Sequence, residues 1–107
     1  MDYEINEFGT KRWYKEGQLH REDGPAIEFT NGYKEWYKSG KRHRTDGPAV
    51  EYCNGDKCWY KEGKRHRIDG PAVEYVGGIK AYYYLNKYIN CNSDEEYFKL
   101  LKLKAFW

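Results

Sequence analysis

Aromatic and β-branched residues recur along this chain in two short blocks per period of 23 residues. The first block is Lys34-Glu35-Trp36-Tyr37-Lys38, with copies at 11–15, 57–61 and 80–84. The second is Ala49-Val50-Glu51-Tyr52, with copies at 26–29 and 72–75. Such residues suit a pleated, half-buried surface, so each block predicts a strand. Asn31-Gly32 and Asn54-Gly55 lie between a second block and the next first block. Both residue types tolerate positive φ, so these dipeptides predict two-residue hairpin turns. The opposite connection ends in Asp-Gly-Pro, where proline lacks an N–H and marks the start of the second strand.

A two-residue turn at Asn54-Gly55 dictates a register. Val50 falls opposite Trp59, Tyr52 opposite Lys57, Ala49 opposite Tyr60 and Glu51 opposite Cys58. Strand side chains alternate between faces. Val50, Tyr52, Lys57 and Trp59 then share the side expected to be the core, because each tryptophan offers a large area for burial. The same rule pairs Ile27 with Trp36 and Val73 with Tyr82. It also sets Glu28 against Glu35, a repulsion that a longer turn or a bulge would remove. The reverse side carries Tyr14, Tyr37, Tyr60 and Tyr83 beside small alanines. It is either a shallow binding groove or a second packed face.

The pattern changes at the C-terminus. Ser93-Asp94-Glu95-Glu96 has the form of a capping box ahead of Tyr97, Phe98, Leu100, Leu101 and Leu103. Acids at its start and Lys99, Lys102 and Lys104 further on suit the helix dipole. A repeat array must cover its last apolar face and open edge. Residues 91–107 therefore predict a capping helix, with a partner-binding helix as the alternative. Its end, Ala105-Phe106-Trp107, either tucks under the sheet or stands out as an anchor.

Residues 31–53 and 54–76 agree at 18 of 23 positions, and 8–30 agree with 31–53 at 13. The fold class is accordingly mainly β, an array of stacked β-hairpin repeats over 1–90 with a C-terminal capping helix. The units fall near 8–30, 31–53, 54–76 and 77–90. With 107 residues the chain makes one domain. Charged residues at 34% and a mean hydropathy of -1.12 lean toward disorder, but 12 Tyr and 4 Trp oppose it.

Charge and cysteine use narrow the function classes. A net charge of +2 is too small to imply nucleic acid by itself. No apolar run approaches the length that spans a bilayer, and MDYEINEFG is too acidic for a secretory signal. Cys53, Cys58 and Cys91 cannot all pair, and they lack the second pair that a zinc site needs. Reduced thiols in a cytoplasmic protein are expected. Equivalent atoms in neighbouring units lie roughly 9–10 Å apart, too far for His20, His43 and His66 to share one ion. No candidate nucleophile is unique, and the glycines form no phosphate loop. The expectation is therefore no enzyme, no metal and no cofactor.

The His-Arg-x-Asp-Gly-Pro loops allow two readings. In the architectural one, Arg44 pairs with Asp46, His43 bonds a turn carbonyl, and the aspartate bonds its own backbone. The functional one uses surplus charge. Residues 38–46 carry a net +3 and 61–69 a net +2, whereas 15–23 carry -1. A basic rim at units two and three would suit an acidic protein, phosphates or anionic lipid.

The unit G-x-K-x-W-Y-K-x-G-x-x-H-R-x-D-G-P-A-x-E, over residues 8 to about 88, resembles the MORN repeat and related bacterial MORN-like repeats. It is most similar to a divergent subtype with H-R-x-D-G-P-A, which occurs in small proteins of bacteria, phages and large DNA viruses. Typical units place Gly after His, where this chain has Arg21, Arg44 and Arg67. The resemblance implies a single elongated antiparallel sheet of stacked hairpins. It also implies roles in scaffolding, protein binding or lipid head-group binding. Cell-wall choline-binding repeats are also similar in length and Trp-Tyr content, but they lack the H-R-x-D-G-P-A segment.

These readings converge on a non-catalytic protein-binding module. The expected binding residues are Tyr37, Tyr60, Lys41, Arg42, Arg44, Lys64, Arg65 and Arg67, facing a partner with an acidic surface. Unit one has Gln18 and Leu19 where units two and three have Lys-Arg, so that pair is not purely architectural. Two alternatives stay open. One is a nucleic-acid or phosphate binder, including a phage-type inhibitor of a host defence enzyme. The other is a scaffold that self-assembles through its open sheet edge. Membrane binding is not expected.

Overall fold

A computed structural model describes residues 2–103. Ala105-Phe106-Trp107, and the question whether they tuck or anchor, lie outside the described residues. The described residues form one long open antiparallel sheet, two short side hairpins and one helix, within 48 × 30 × 18 Å.

Each unit is built from a long strand, a short return strand and a third strand that leads to the next unit. Unit one contains β2 (Lys11–Lys15), β3 (Gln18–Leu19) and β4 (Ile27–Glu28). In units two and three the long strand is broken at tryptophan. Unit two has β5 (Lys34–Glu35), β6 (Tyr37–Lys38), β7 (Lys41–Arg42) and β8 (Val50–Glu51). Unit three has β9 (Lys57–Cys58), β10 (Tyr60–Lys61), β11 (Lys64–Arg65) and β12 (Val73–Glu74). Unit four is β13 (Lys80–Tyr84) and β14 (Lys87–Ile89), followed by α1 (Asp94–Lys102). A further strand, β1 (Asp2–Ile5), precedes unit one and takes the place of a preceding third strand. The main sheet runs β1-β2-β4-β5-β8-β9-β12-β13-β14, with β3 on β2; β6-β7 and β10-β11 are side hairpins.

The return strands were not read from the sequence, yet their turns have a clear signal. Ser39 and Gly40 have φ of 50° and 81°, and Glu62 and Gly63 of 49° and 85°. Two successive positive values make the tight primed turn of a two-residue hairpin. So the two-residue turn exists, but at x-Gly inside the unit.

Asn-Gly does something else, and the expected register is wrong by one residue. The Tyr52 N–H donates to the Asp56 carbonyl at 2.9 Å and the Gly55 N–H to the Tyr52 carbonyl at 3.0 Å. Three residues, Cys53 to Gly55, therefore bridge the strands, and of these only Gly55 has positive φ, at 101°. Asn54 Oδ1 accepts the Asp56 N–H at 3.0 Å, which spends the asparagine on its own turn rather than on a left-handed backbone. This is the three-residue hairpin with a glycine bulge. Val50 consequently pairs with Cys58, not Trp59, and Glu51 with Lys57, not Cys58. Ile27 pairs with Glu35, not Trp36, and Val73 with Ala81, not Tyr82. The Glu28–Glu35 clash disappears as a longer turn requires: Glu28 faces Lys34.

A slip of one residue moves side chains to the other face. The core therefore does not join valine to tryptophan. Val50, Cys58 and Val73 form one buried cluster, with Tyr33, Tyr60, Ala81 and Tyr83 packed on it. Trp13, Trp36 and Trp59 lie on the reverse face. A second cluster of Tyr82, Ile89 and Tyr97, flanked by Tyr84, Cys91, Leu100 and Leu101, attaches α1 to unit four. Ser93 caps α1 as expected, its Oγ accepting the Glu96 N–H at 3.1 Å. Glu96 reaches back one residue further than a capping box does, to the Asn92 N–H at 3.4 Å.

Candidate functional site

The tryptophan face is assembled by the repeated motif from its own residues. The Arg44 guanidinium carbon lies 3.9 Å from the centre of the Trp36 ring, and Arg21 on Trp13 and Arg67 on Trp59 repeat that distance. Stacking leaves the guanidinium edge free to bond in plane. Arg44 Nε donates to Asp46 at 2.9 Å, and its Nη1 donates to the Pro48 carbonyl and to Glu51, both at 3.0 Å. Arg67 does the same with Asp69, Pro71 and Glu74. The hydrogen bonds to Arg44 and Arg67 hold Asp46, and by symmetry of geometry Asp69, in place; the Asp46 carboxyl is thereby lowered below its usual range. The glycine of Asp-Gly-Pro makes room for this: a Cβ on Gly47 would stand 2.9 Å from Arg44 Cζ.

Histidine ties each unit to the next. His20, His43 and His66 each accept, through Nδ1, the N–H of the first turn residue one unit on: Ser39, Glu62 and Leu85, at 2.9, 3.0 and 3.0 Å. The expected bond to a turn carbonyl is thus reversed in sense. The acceptor must be unprotonated, and burial pushes His43 and His66 below the ordinary value, with Lys38 and Lys61 adding to the effect.

The valine face carries a ladder of tyrosines and arginines. Arg42 lies over Tyr60 and Arg65 over Tyr83, each 5.3 Å from the ring centre. The register sets Tyr37 opposite Arg42 and Tyr60 opposite Arg65. The two arginines differ in their counterions. Arg42 Nε donates to the buried Glu35 at 2.8 Å, and the Tyr37 hydroxyl donates to the same oxygen at 3.0 Å. Burial opposes the charge on Arg42, but the bond and charge of Glu35 outweigh it and raise its pKa. In unit three Cys58 stands where unit two has Glu35. Arg65 has only the Tyr60 and Tyr83 hydroxyls, both at 3.4 Å, and among the described residues no carboxylate. Burial raises the Cys58 thiol, so it stays neutral.

The eight expected binding residues divide between the faces. Tyr37, Tyr60, Arg42 and Arg65 come together on the ladder. Arg44 and Arg67 are on the tryptophan face, occupied as above. Lys41 and Lys64 are exposed and lie opposite Lys38 and Lys61 across the tight turns, so the pleat puts them on the side away from Arg42 and Arg65. Among the described residues no lysine forms an ion pair. Sequence reading gave Glu35 and Tyr33 no place in the site, and set Tyr83 on the tyrosine side without counting it among the binding residues. The available signal was position 35/58, one of the few at which units two and three differ.

The ladder offers flat aromatic area and, in Arg65, a guanidinium held between two tyrosines with no carboxylate within ion-pair distance among the described residues. Among the described residues no group of three His, Cys, Asp or Glu is placed to hold a metal ion. No helix among them is long and apolar enough to cross a membrane. Compared with protein families, with curated proteins and with solved structures, the chain matches none.

Proposed function

We propose that the chain is a non-catalytic, MORN-like protein-binding module whose tyrosine–arginine ladder takes a partner with an acidic surface. One observation carries this: Arg65 keeps its charge between Tyr60 and Tyr83 without a carboxylate, whereas Arg42 in the sister unit is neutralised by Glu35. A guanidinium held against aromatic rings is desolvated in part and already oriented, so a partner carboxylate gains a strong charge-assisted bond. Tyrosine and arginine are also the residues that dominate binding hot spots. The test is capture from the source cell's lysate with nuclease present, by the full chain and by Arg65→Glu. A protein held by the first and lost by the second supports the reading. Equal capture by both overturns it, and capture abolished by nuclease assigns the face to nucleic acid.

A second reading rests on β1. This edge strand ends the sheet and exposes Tyr3 by 58% and Ile5 by 53%, with pairing groups open on one side. End-to-end self-assembly would use that edge, and a strictly monomeric sedimentation profile across concentration removes it.

A further inference from the structure

The tryptophan face holds two open clefts one repeat apart. The first, about 600 Å³, lies between the loops at Arg21 and Arg44; the second, about 760 Å³, lies between those at Arg44 and Arg67. The third position in this series, between the Arg67 loop and unit four, is filled by α1. There the fully buried Tyr97 packs tilted against Tyr82, ring centres 5.0 Å apart, and its hydroxyl donates to the Arg67 carbonyl at 2.6 Å. The Tyr82 hydroxyl donates to Asp94, the first residue of the helix, at 2.5 Å. The chain thus shows what its own cleft accepts: a helix with a carboxylate in its first turn and a tyrosine three residues later.

The open clefts keep matching groups. Trp36 and Trp59 replace Tyr82, and their indole N–H groups donate to no acceptor among the described residues. The Arg21 and Arg44 carbonyls, equivalent to that of Arg67, carry no tyrosyl hydroxyl. One difference sets the depth of insertion. Arg44 and Arg67 already cover the tryptophans, while unit four has Asn90 at that position and admits Tyr97 directly. An incoming ring therefore meets the outer plane of a guanidinium. Charge favours the second cleft, lined by three basic and two acidic side chains against three and three in the first.

We infer that the second cleft binds a helix of a partner protein with the chemistry of α1: an acidic first turn, with its carboxylate on the Trp59 indole and a tyrosine three residues on that reaches the Arg44 carbonyl. The cleft is centred on the tryptophan face and shares one lining residue, Tyr60, with the ladder; its groups for the helix, Trp59 and the Arg44 carbonyl, are not part of the ladder. The probe is a helix-stabilised peptide of residues 92–103, titrated calorimetrically into the full chain. Saturable binding is expected, weakened at least tenfold by Lys61→Glu or by Thr45→Asp in the protein, and by Tyr97→Ala or Asp94→Asn in the peptide. Lys61 and Thr45 are exposed, and thermal unfolding of each variant verifies the fold. Arg65→Ala should leave the affinity unchanged, which separates this site from the ladder. No saturable binding at millimolar peptide, or equal affinity for Lys61→Glu and Thr45→Asp, overturns the inference. A concentration-dependent dimer abolished by Lys61→Glu would make a second copy the occupant and overturn the partner helix.

Discussion

The two faces of this sheet use the same residue types to opposite ends. On the tryptophan face Arg44 has an indole beneath it, two carboxylates and a carbonyl at its edge. On the valine face Arg65 has two tyrosines and nothing acidic. The lesson is that strict repetition marks the architectural arginines, while the arginine available for binding appears where repetition fails, at Leu19/Arg42/Arg65 and Arg12/Glu35/Cys58. A partner gains little from a cation that already has its counterions.

The largest effect should come from removing that contrast at its rigid end. Arg44→Ala leaves Glu51 without its cation and uncovers Trp36, and should cost about 2–3 kcal/mol, the range for hydrogen bonds to charged groups. Arg65→Ala should cost below about 0.5 kcal/mol, as surface substitutions do. Denaturant titration of both variants makes the comparison, and equal losses would break it. Next, Gly47→Ala drives a methyl group into Arg44 Cζ and should cost about 1–2 kcal/mol as overpacking, read by the same titration. Cys58→Glu rebuilds the unit-two pattern around Arg65. Cys58 is buried, so the new carboxylate is tolerated only through an ion pair with Arg65, as Glu35 is through Arg42, and denaturant titration should show a loss that grows when Arg65→Ala is added. Partner binding should drop about tenfold, equivalent to about 1.4 kcal/mol. Unchanged binding in a competition assay would show that the lone charge on Arg65 is not what the partner reads.

The smallest effect is that of pH, because the two histidines that shift, His43 and His66, are only part-buried. His43 and His66 have folded values below the unfolded value of 6.5. The unfolded chain then takes up the proton first as pH falls. Stability from these groups is full above pH 6.5 and declines as pH drops through the lowered folded values. The melting temperature should be lower at pH 5 than at pH 7.5, and His43→Ala with His66→Ala should flatten the difference. A melting temperature that rises on acidification would contradict the acceptor role of Nδ1.

Much of the candidate site was legible before any coordinates. Tyr37, Tyr60, Arg42 and Arg65 were expected to act together, and the structure brings them onto one face. Lys41, Lys64, Arg44 and Arg67 were grouped with them only because sequence distance does not record which way a pleat points. Glu35 was not recognised as a counterion, nor Cys58 as its neutral replacement, because a counterion is a property of the partner strand and the expected pairing was one residue out.

The 23-residue period by itself determined the repeat, the strands at tryptophan and at Ala-Val-Glu and the hairpin array, and the Ser93 capping signal, outside that period, determined the start of the C-terminal helix. These follow from local propensity, glycine placement and capping chemistry, which act over a few residues. Only the tertiary structure decided that Asn-Gly makes a three-residue loop and Ser-Gly or Glu-Gly the tight turn. The difference between those loops is a single residue, and it is settled by contacts from distant segments: Glu28 against Lys34, Val50 against Cys58, and an arginine over each of Trp13, Trp36 and Trp59.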